Sequence, residues 1–168
     1  MRRLLPDVIA PDLRVVFCGI NPGLYSTAIG HHFGRPGNRF WPALHGAGFT
    51  DRVYSPFEDR ALPALGYGIT NLCPRTTARA EELTAVELAR GARTLQSKMR
   101  RYRPRVLAIL GVGAYRAAFA RPRATLGLQE ETVGGVRVFV LPNPSGLNAH
   151  YGLPALVQHF GALRRFAS

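Results

Sequence analysis

Apolar residues fall along this chain in short continuous runs separated by polar, Gly- and Pro-rich stretches. Arg14–Ile20, Gly66–Leu72, Val106–Leu110 and Val136–Leu141 are such runs, rich in β-branched residues and closed by Gly, Pro or Asn, which predicts strands. The unbroken apolar character of Val106–Leu110 points to a central, parallel strand covered on both faces. Helical spacing appears between the runs. Thr84 with Glu87 three residues on forms a capping box, Val86, Leu88, Leu95 and Met99 follow as apolar positions, and Pro104 stops a helix ending near Tyr102. Asn38 to Leu44 predicts a helix with Asn38 as N-cap and Pro42 in the first turn. Asp59–Leu65 reads as a short helix or turn, Ala114–Ala120 and Leu153–Phe166 complete the helices, and Gly134-Gly135 marks a hairpin turn. Strands alternating with helices predict one domain, residues 1–168, built as a three-layer α/β/α sandwich with a mostly parallel central sheet. Asn21 to Asn38 shows no period and predicts a long loop, a length that is usually functional in a compact domain.

Two of the strands end in related polar loops. Val15–Cys18 runs into Gly19-Ile20-Asn21-Pro22-Gly23, and Val136–Leu141 into Pro142-Asn143-Pro144-Ser145-Gly146-Leu147. Proline after each asparagine drives that asparagine into an extended conformation and so fixes where its amide points. Asn-Pro and Pro-Ser-Gly are also ordinary turn formers; it is their repetition at two strand ends that marks a site, because ligands of open α/β sheets bind at the carboxyl ends of the strands. The short strand Gly66–Leu72 delivers Asn71 to the same edge, as a turn residue before Cys73-Pro74 or as a second amide in the site.

Charge narrows the partners. The 168 residues hold 22 Lys+Arg against 10 Asp+Glu, a net charge of +12, and Lys98 is the single lysine. Arginine forks suit phosphate, so nucleic acid is the first expectation and an anionic surface the second; an arginine-rich codon bias is the unspecific explanation. Hydrophobic residues make up 46% and charged residues 19%, a globular balance. Cys18 and Cys73 are far apart, Cys18 within an apolar strand, and no Cys/His spacing matches a zinc site. A reducing cytoplasmic compartment fits. The opening residues Met1–Asp7 lack the apolar run of a signal peptide, and no window is apolar enough to span a bilayer. Gly111-Val112-Gly113 lacks the third glycine and the Lys-Ser/Thr of phosphate-binding loops.

Gly-Ile-Asn-Pro-Gly, then Asn38-Arg39-Phe40-Trp41, then Asn143-Pro144-Ser145-Gly146-Leu147, in this order, resemble the mismatch-specific uracil-DNA glycosylases, the group that includes the thymine-DNA glycosylases, over almost the whole chain. The resemblance implies an α/β/α enzyme that flips a base from double-stranded DNA and hydrolyses its N-glycosidic bond without metal or cofactor, as a monomer. It implies that Asn21 positions the water and Asn143 stabilises the departing base. Ile20, Gly23, Ser26, Phe33 and Asn71 are implied to line the base pocket, with Phe33 stacking on the base and Gly23 leaving room at a position where the uracil-specific branch has a tyrosine. Ser145, Gly146 and Asn148 are implied to contact the DNA backbone and Leu147 to fill the hole left by the flipped nucleotide. The likeness breaks at Ala149, where bacterial relatives often place an arginine against the opposite guanine. A damage-binding module of the same fold with no activity is the alternative, favoured by an amide where other relatives have a carboxylate. Arg35, Arg39, Arg75 and Arg79 are further expected phosphate contacts, and His31 and His32 are expected as exposed loop residues without a partner.

Overall fold

The computed structural model describes residues 4–168. Its elements, in chain order, are β1 (Val15–Gly19), α1 (Leu24–Ile29), α2 (Phe40–Gly46), α3 (Leu62–Leu65), β2 (Tyr67–Asn71), α4 (Ala85–Tyr102), β3 (Val106–Leu110), α5 (Val112–Ala118), β4 (Gly127–Val133), β5 (Val136–Leu141) and α6 (Leu153–Ala167). The sheet has five strands in the order β2-β1-β3-β5-β4. β1, β2, β3 and β5 run parallel, with Val15 opposite Tyr67 and Val106, and Val106 opposite Arg137. β4 joins antiparallel at the edge.

Alternation along each strand sorts the apolar side chains into two cores. Val15, Phe17, Ala108, Leu110, Phe139 and Leu141 face one layer, where they meet Phe40, Leu44, Leu156 and Phe160 of α2 and α6. Val16, Cys18, Leu107, Ile109, Val138 and Val140 face the other, against Leu95, Met99 and Tyr115 of α4 and α5. This two-faced burial is why the strands read as continuous apolar runs, and it makes the domain the three-layer α/β/α sandwich that the pattern predicts. Phe17 is the keystone of the first core: its ring meets those of Phe40, Phe49 and Phe160 at 5.3, 5.5 and 6.2 Å. Cys18 is a small core group, and burial pushes its thiol pKa well above the usual range.

Local differences have local causes. The stretch expected as a loop contains α1. Ser26 is the one buried residue of that helix, and its hydroxyl, not an apolar stripe, anchors it by accepting from the Gly34 N–H at 2.9 Å, so no hydrophobic period announces it. Asn38 caps from one residue further out than expected: α2 begins at Phe40, whose N–H donates to Asn38 Oδ1 at 2.9 Å. The short helix or turn expected at Asp59–Leu65 is a 3₁₀ helix that begins at Pro56 and passes into α3. Gly111, at φ 136°, makes the turn after β3 alone, so α5 starts at Val112. The Thr84–Glu87 capping box is present at the start of α4. Among the described residues no helix is long and apolar enough to cross a membrane.

Gly91 sets the distance between α4 and the end of β2. A Cβ there would lie 2.3 Å from the Leu72 carbonyl oxygen, whereas one at Gly113 in α5 would meet nothing within 4 Å. Alanine normally favours a helix over glycine by about 1 kcal/mol, so the two sites should respond with opposite signs. Urea unfolding is expected to show Gly113→Ala stabilised by roughly 0.5–1 kcal/mol and Gly91→Ala destabilised by about 1–3 kcal/mol through overpacking.

Candidate active site

Because four strands are parallel, their carboxyl ends meet at one edge, and a cleft of about 490 Å³ opens there. β1 has β2 on one side and β3 on the other, the point of an open sheet at which a crevice forms. Gly19, Ile20, Asn21 and Gly23 after β1, Asn71 of β2, Leu110 of β3 and Asn143 after β5 all line the cleft, with Ser26, Phe33, Ser145, Leu147 and Asn148. Every catalytic, pocket and wedge residue expected from sequence, apart from Gly146, therefore faces one hollow.

The two asparagines are held in opposite senses. Asn21 Nδ2 donates to the Arg75 carbonyl at 2.8 Å and to Thr77 Oγ1 at 2.7 Å. A carbonyl can only accept, so the nitrogen must be on that side and Asn21 Oδ1 is left without a protein donor among the described residues. Asn143 Oδ1 accepts from the Ser145 N–H at 3.0 Å; an N–H can only donate, so Asn143 Nδ2 is the end left without a protein acceptor among the described residues. Of these two pinned amides, one thus presents an acceptor to the cleft and the other a donor. Neither amide changes charge at any ordinary pH.

The segment that fixes Asn21 lies more than fifty residues away. Thr77 is buried; its hydroxyl accepts from Asn21 and donates to the Arg79 carbonyl at 2.7 Å, and its N–H donates to the Pro22 carbonyl at 3.2 Å. Arg75 secures the same segment from the other side. Its guanidinium pairs with Glu87 at 2.7 Å and donates to the Glu82 carbonyl, and that guanidinium holds the Glu87 carboxyl down to about 2. Arg75, expected at a phosphate, serves here as a strut of this segment. Thr77 is absent from the sequence reading, because a threonine between arginines carries no local signal of what it will touch.

Phe33 sits at φ 53°, and its ring stacks on Phe40 with centroids 4.1 Å apart. It is anchored on one face while it lines the cleft. Gly19 makes this arrangement possible: a Cβ there would lie 2.7 Å from Asn71 Oδ1 and 3.4 Å from the Phe33 ring. The Asn71 amide therefore folds over Gly19 beside Phe33, with no hydrogen bond to protein among the described residues. At Gly23 a Cβ would meet nothing within 4 Å, so the pocket is open on that side. Ser26 borders the cleft, but its oxygen already accepts from Gly34.

The loop after β5 is built around Arg39. Its guanidinium donates to the carbonyls of Ser145 at 2.7 Å, Asn148 at 3.0 Å, Pro144 at 3.4 Å and Tyr151. Arg39, expected at a phosphate, instead fills the centre of this loop with its donors. The Asn148 side chain closes the same loop, donating to the Asn143 carbonyl at 3.0 Å and accepting from the His150 N–H at 3.2 Å. Gly146 packs against the 35–39 segment, since a Cβ there would lie 2.7 Å from the Gly37 carbonyl oxygen. At the tip Leu147 is 61% exposed, an apolar side chain held out beyond a rigid polar frame.

His31 and His32 depart from the expectation of free loop residues. His32 is buried; its Nε2 bonds the Pro6 carbonyl at 2.7 Å, and its backbone N–H donates to Asp59 Oδ2 at 2.9 Å. Burial lowers its pKa, which favours the uncharged ring. His31 Nδ1 bonds Asp59 Oδ1 at 2.9 Å. The pair clamps the loop onto the buried Asp59. Among the described residues no three His, Cys, Asp or Glu side chains converge as metal ligands. Of the arginines expected at DNA, Arg35 and Arg79 line the cleft.

Comparison with known proteins gives two findings. Residues 6–164 match the model of the uracil DNA glycosylase superfamily. The fold resembles the solution NMR structure of a "putative uracil DNA glycosylase" from Methanosarcina acetivorans, with a TM-score of 0.64, 17% sequence identity and coverage of 99% of each chain.

Arg39→Lys is expected to release the loop without unfolding the domain, because one ammonium cannot reach four carbonyls. Amide hydrogen exchange should accelerate at least tenfold at Leu147 and Asn148 and stay unchanged in β1 and β3.

Proposed function

The chain belongs to the uracil DNA glycosylase superfamily, and from that premise we propose that it is a monofunctional glycosylase of the mismatch-specific type, acting on uracil in double-stranded DNA, chiefly opposite guanine. The observation that carries this reading is the opposed pinning of Asn21 and Asn143. A free Asn21 Oδ1 accepts a hydrogen bond from water and aims its lone pair. A free Asn143 Nδ2 donates to an oxygen of the pyrimidine as that oxygen gains charge. In the reaction the C1′–N1 bond breaks first, the base leaves with the electron pair, and the sugar becomes an oxocarbenium ion. Water then forms the C1′–O bond, and its proton passes to the departing base or to solvent.

Neither amide removes a proton, so the general-base contribution of about 10²–10⁴-fold is missing. The rate rests on positioning and on the stability of the leaving base, which makes the enzyme slow and favours uracil over thymine. Phe33 supplies a stacking face, worth roughly 1–3 kcal/mol per base. The open side at Gly23 admits 5-substituted uracils and larger adducts such as etheno-cytosine. Leu147, exposed on the loop that Arg39 stiffens, is suited to fill the gap in the duplex. Ala149 brings no side-chain donor to the opposite base, so the preference for guanine rests on backbone groups near Leu147 and is modest. The protein is proposed to act as a cytoplasmic monomer.

An inactive damage-binding module is the second reading, and an amide rather than a carboxylate at Asn21 favours it. A U·G duplex incubated with excess protein and then treated with alkali separates the two. Strand breaks are expected from the wild type, with the single-turnover rate reduced about a hundredfold or more in Asn21→Ala and by about 10²–10³ in Asn143→Ala. Retarded mobility without breaks establishes the binding module, and full cleavage by Asn21→Ala refutes the role given to that amide.

A further inference from the structure

Among the described residues, arginines gather at a second place away from the cleft. Among the described residues, Arg35 and Arg79 are the arginines that line the cleft, and Glu81 accompanies them. At the opposite pole, where the parallel strands begin, Arg14 immediately precedes β1, Arg105 immediately precedes β3, and Arg137 stands second in β5 opposite Val106. Arg100 and Arg101 end α4, and Arg103 caps it at φ 48°. These pieces are knitted into one surface. The Arg105 N–H donates to the Leu13 carbonyl, the Val106 N–H to that of Arg14, and the Asp12 N–H to that of Tyr102. The turn between β4 and β5 packs on the end of α4, since a Cβ at Gly134 would lie 3.2 Å from the Arg100 backbone nitrogen.

All six arginines are exposed, and none takes part in any of the ion pairs formed among the described residues. Asp12, exposed on the same turn, is the one acidic residue in these linking segments. Helix ends explain part of the cluster, because cations are favoured at the carbonyl end of α4. They do not explain Arg14, Arg105 or Arg137, which lie on or beside strands. Like charges gathered with a single counter-charge among them repel and weaken the fold, and a polyanion relieves that cost.

We infer that this pole is a second duplex-binding surface, so that one molecule contacts two DNA segments, one at the cleft and one behind it. The inference goes beyond the proposed reaction and rests on it only for the identity of the partner. Sequence-independent phosphate binding of this kind holds a protein on undamaged DNA and allows transfer between segments.

The test uses the full chain and a triple variant, Arg14→Gln, Arg103→Gln and Arg105→Gln, none of them in the cleft. For the wild type, a bead-tethered undamaged duplex is expected to capture a second, fluorescent undamaged duplex. The variant should lose that bridging and bind undamaged duplex at least tenfold more weakly near 0.1 M salt. Its slope of log K against log salt should be shallower by about 0.9 for each phosphate it no longer neutralises. Single-turnover uracil release from a short U·G duplex at saturating protein should stay within about twofold of wild type. Equal bridging, or equal affinity and salt slope in the two proteins, overturns the inference. So does a fall in uracil release at saturation, which would place these arginines in the reaction itself. Loss of binding to phosphatidylglycerol vesicles with DNA binding unchanged assigns the pole to membranes and also overturns it. Because binding and bridging are read on undamaged DNA, a wild type that releases no uracil defeats the proposed reaction and leaves this test intact.

Discussion

Asn21 commits both hydrogens of its amide to the segment after β2, to the Arg75 carbonyl and the Thr77 hydroxyl. The chemistry of the cleft follows from that constraint. An asparagine free to turn would present nitrogen or oxygen to the same place with little preference. One tied to two acceptors presents only oxygen. The tie is itself supported in layers: Thr77 is fixed by Arg79 and Pro22, and Arg75 by Glu87 at the capped start of α4. A chain of contacts thus runs from the N-terminus of the longest helix to the acceptor that Asn21 presents to the cleft.

The opposite side of the cleft uses the same logic with reversed polarity. Asn143 gives its oxygen to the Ser145 N–H and keeps its nitrogen free, while Asn148 and Arg39 secure the backbone around it. In the proposed mechanism such a site replaces proton transfer by orientation. It would gain tolerance of pH and of base structure and forgo the rate that a carboxylate base provides. The close approaches at Gly19, Gly91 and Gly146 are what bring the loops near enough for this arrangement, which is why the cleft is built largely from short residues at strand ends.

Most of the fold was legible in the sequence because burial on both sheet faces leaves an unmistakable mark. Val15–Cys18, Val106–Leu110 and Val136–Leu141 announce themselves as strands, and the Thr84–Glu87 box announces α4. α1 was invisible because a single hydroxyl, Ser26, anchors it. The edge strand β4 was marked only by its turn, because its alternating exposure offers a weaker signal. Within the site, Asn21 and Asn143 could be singled out by their shared Asn-Pro context. Which end of each amide faces the cleft could not, because the carbonyl that decides it for Asn21 belongs to the distant Arg75. Arg39, Arg75 and His32 likewise look like free polar groups in the sequence and prove to be tied within the fold: a side chain's local neighbours do not reveal partners that the fold brings in from elsewhere in the chain.

The central claim is that the cleft works by orientation with neutral groups, and the pH dependence of the chemical step tests it most directly. Two histidines border the cleft. Burial lowers the His32 pKa and favours its uncharged form, His150 is exposed on the loop of Leu147, and neither asparagine titrates. Single-turnover release of uracil from a U·G duplex at saturating protein should therefore be flat from about pH 6 to pH 9, in the wild type and in His150→Gln alike, where a titrating general base would impose a limb. A profile rising about tenfold per pH unit through an inflection in that range would reveal a group that gives up its proton in the reaction, and would contradict the account.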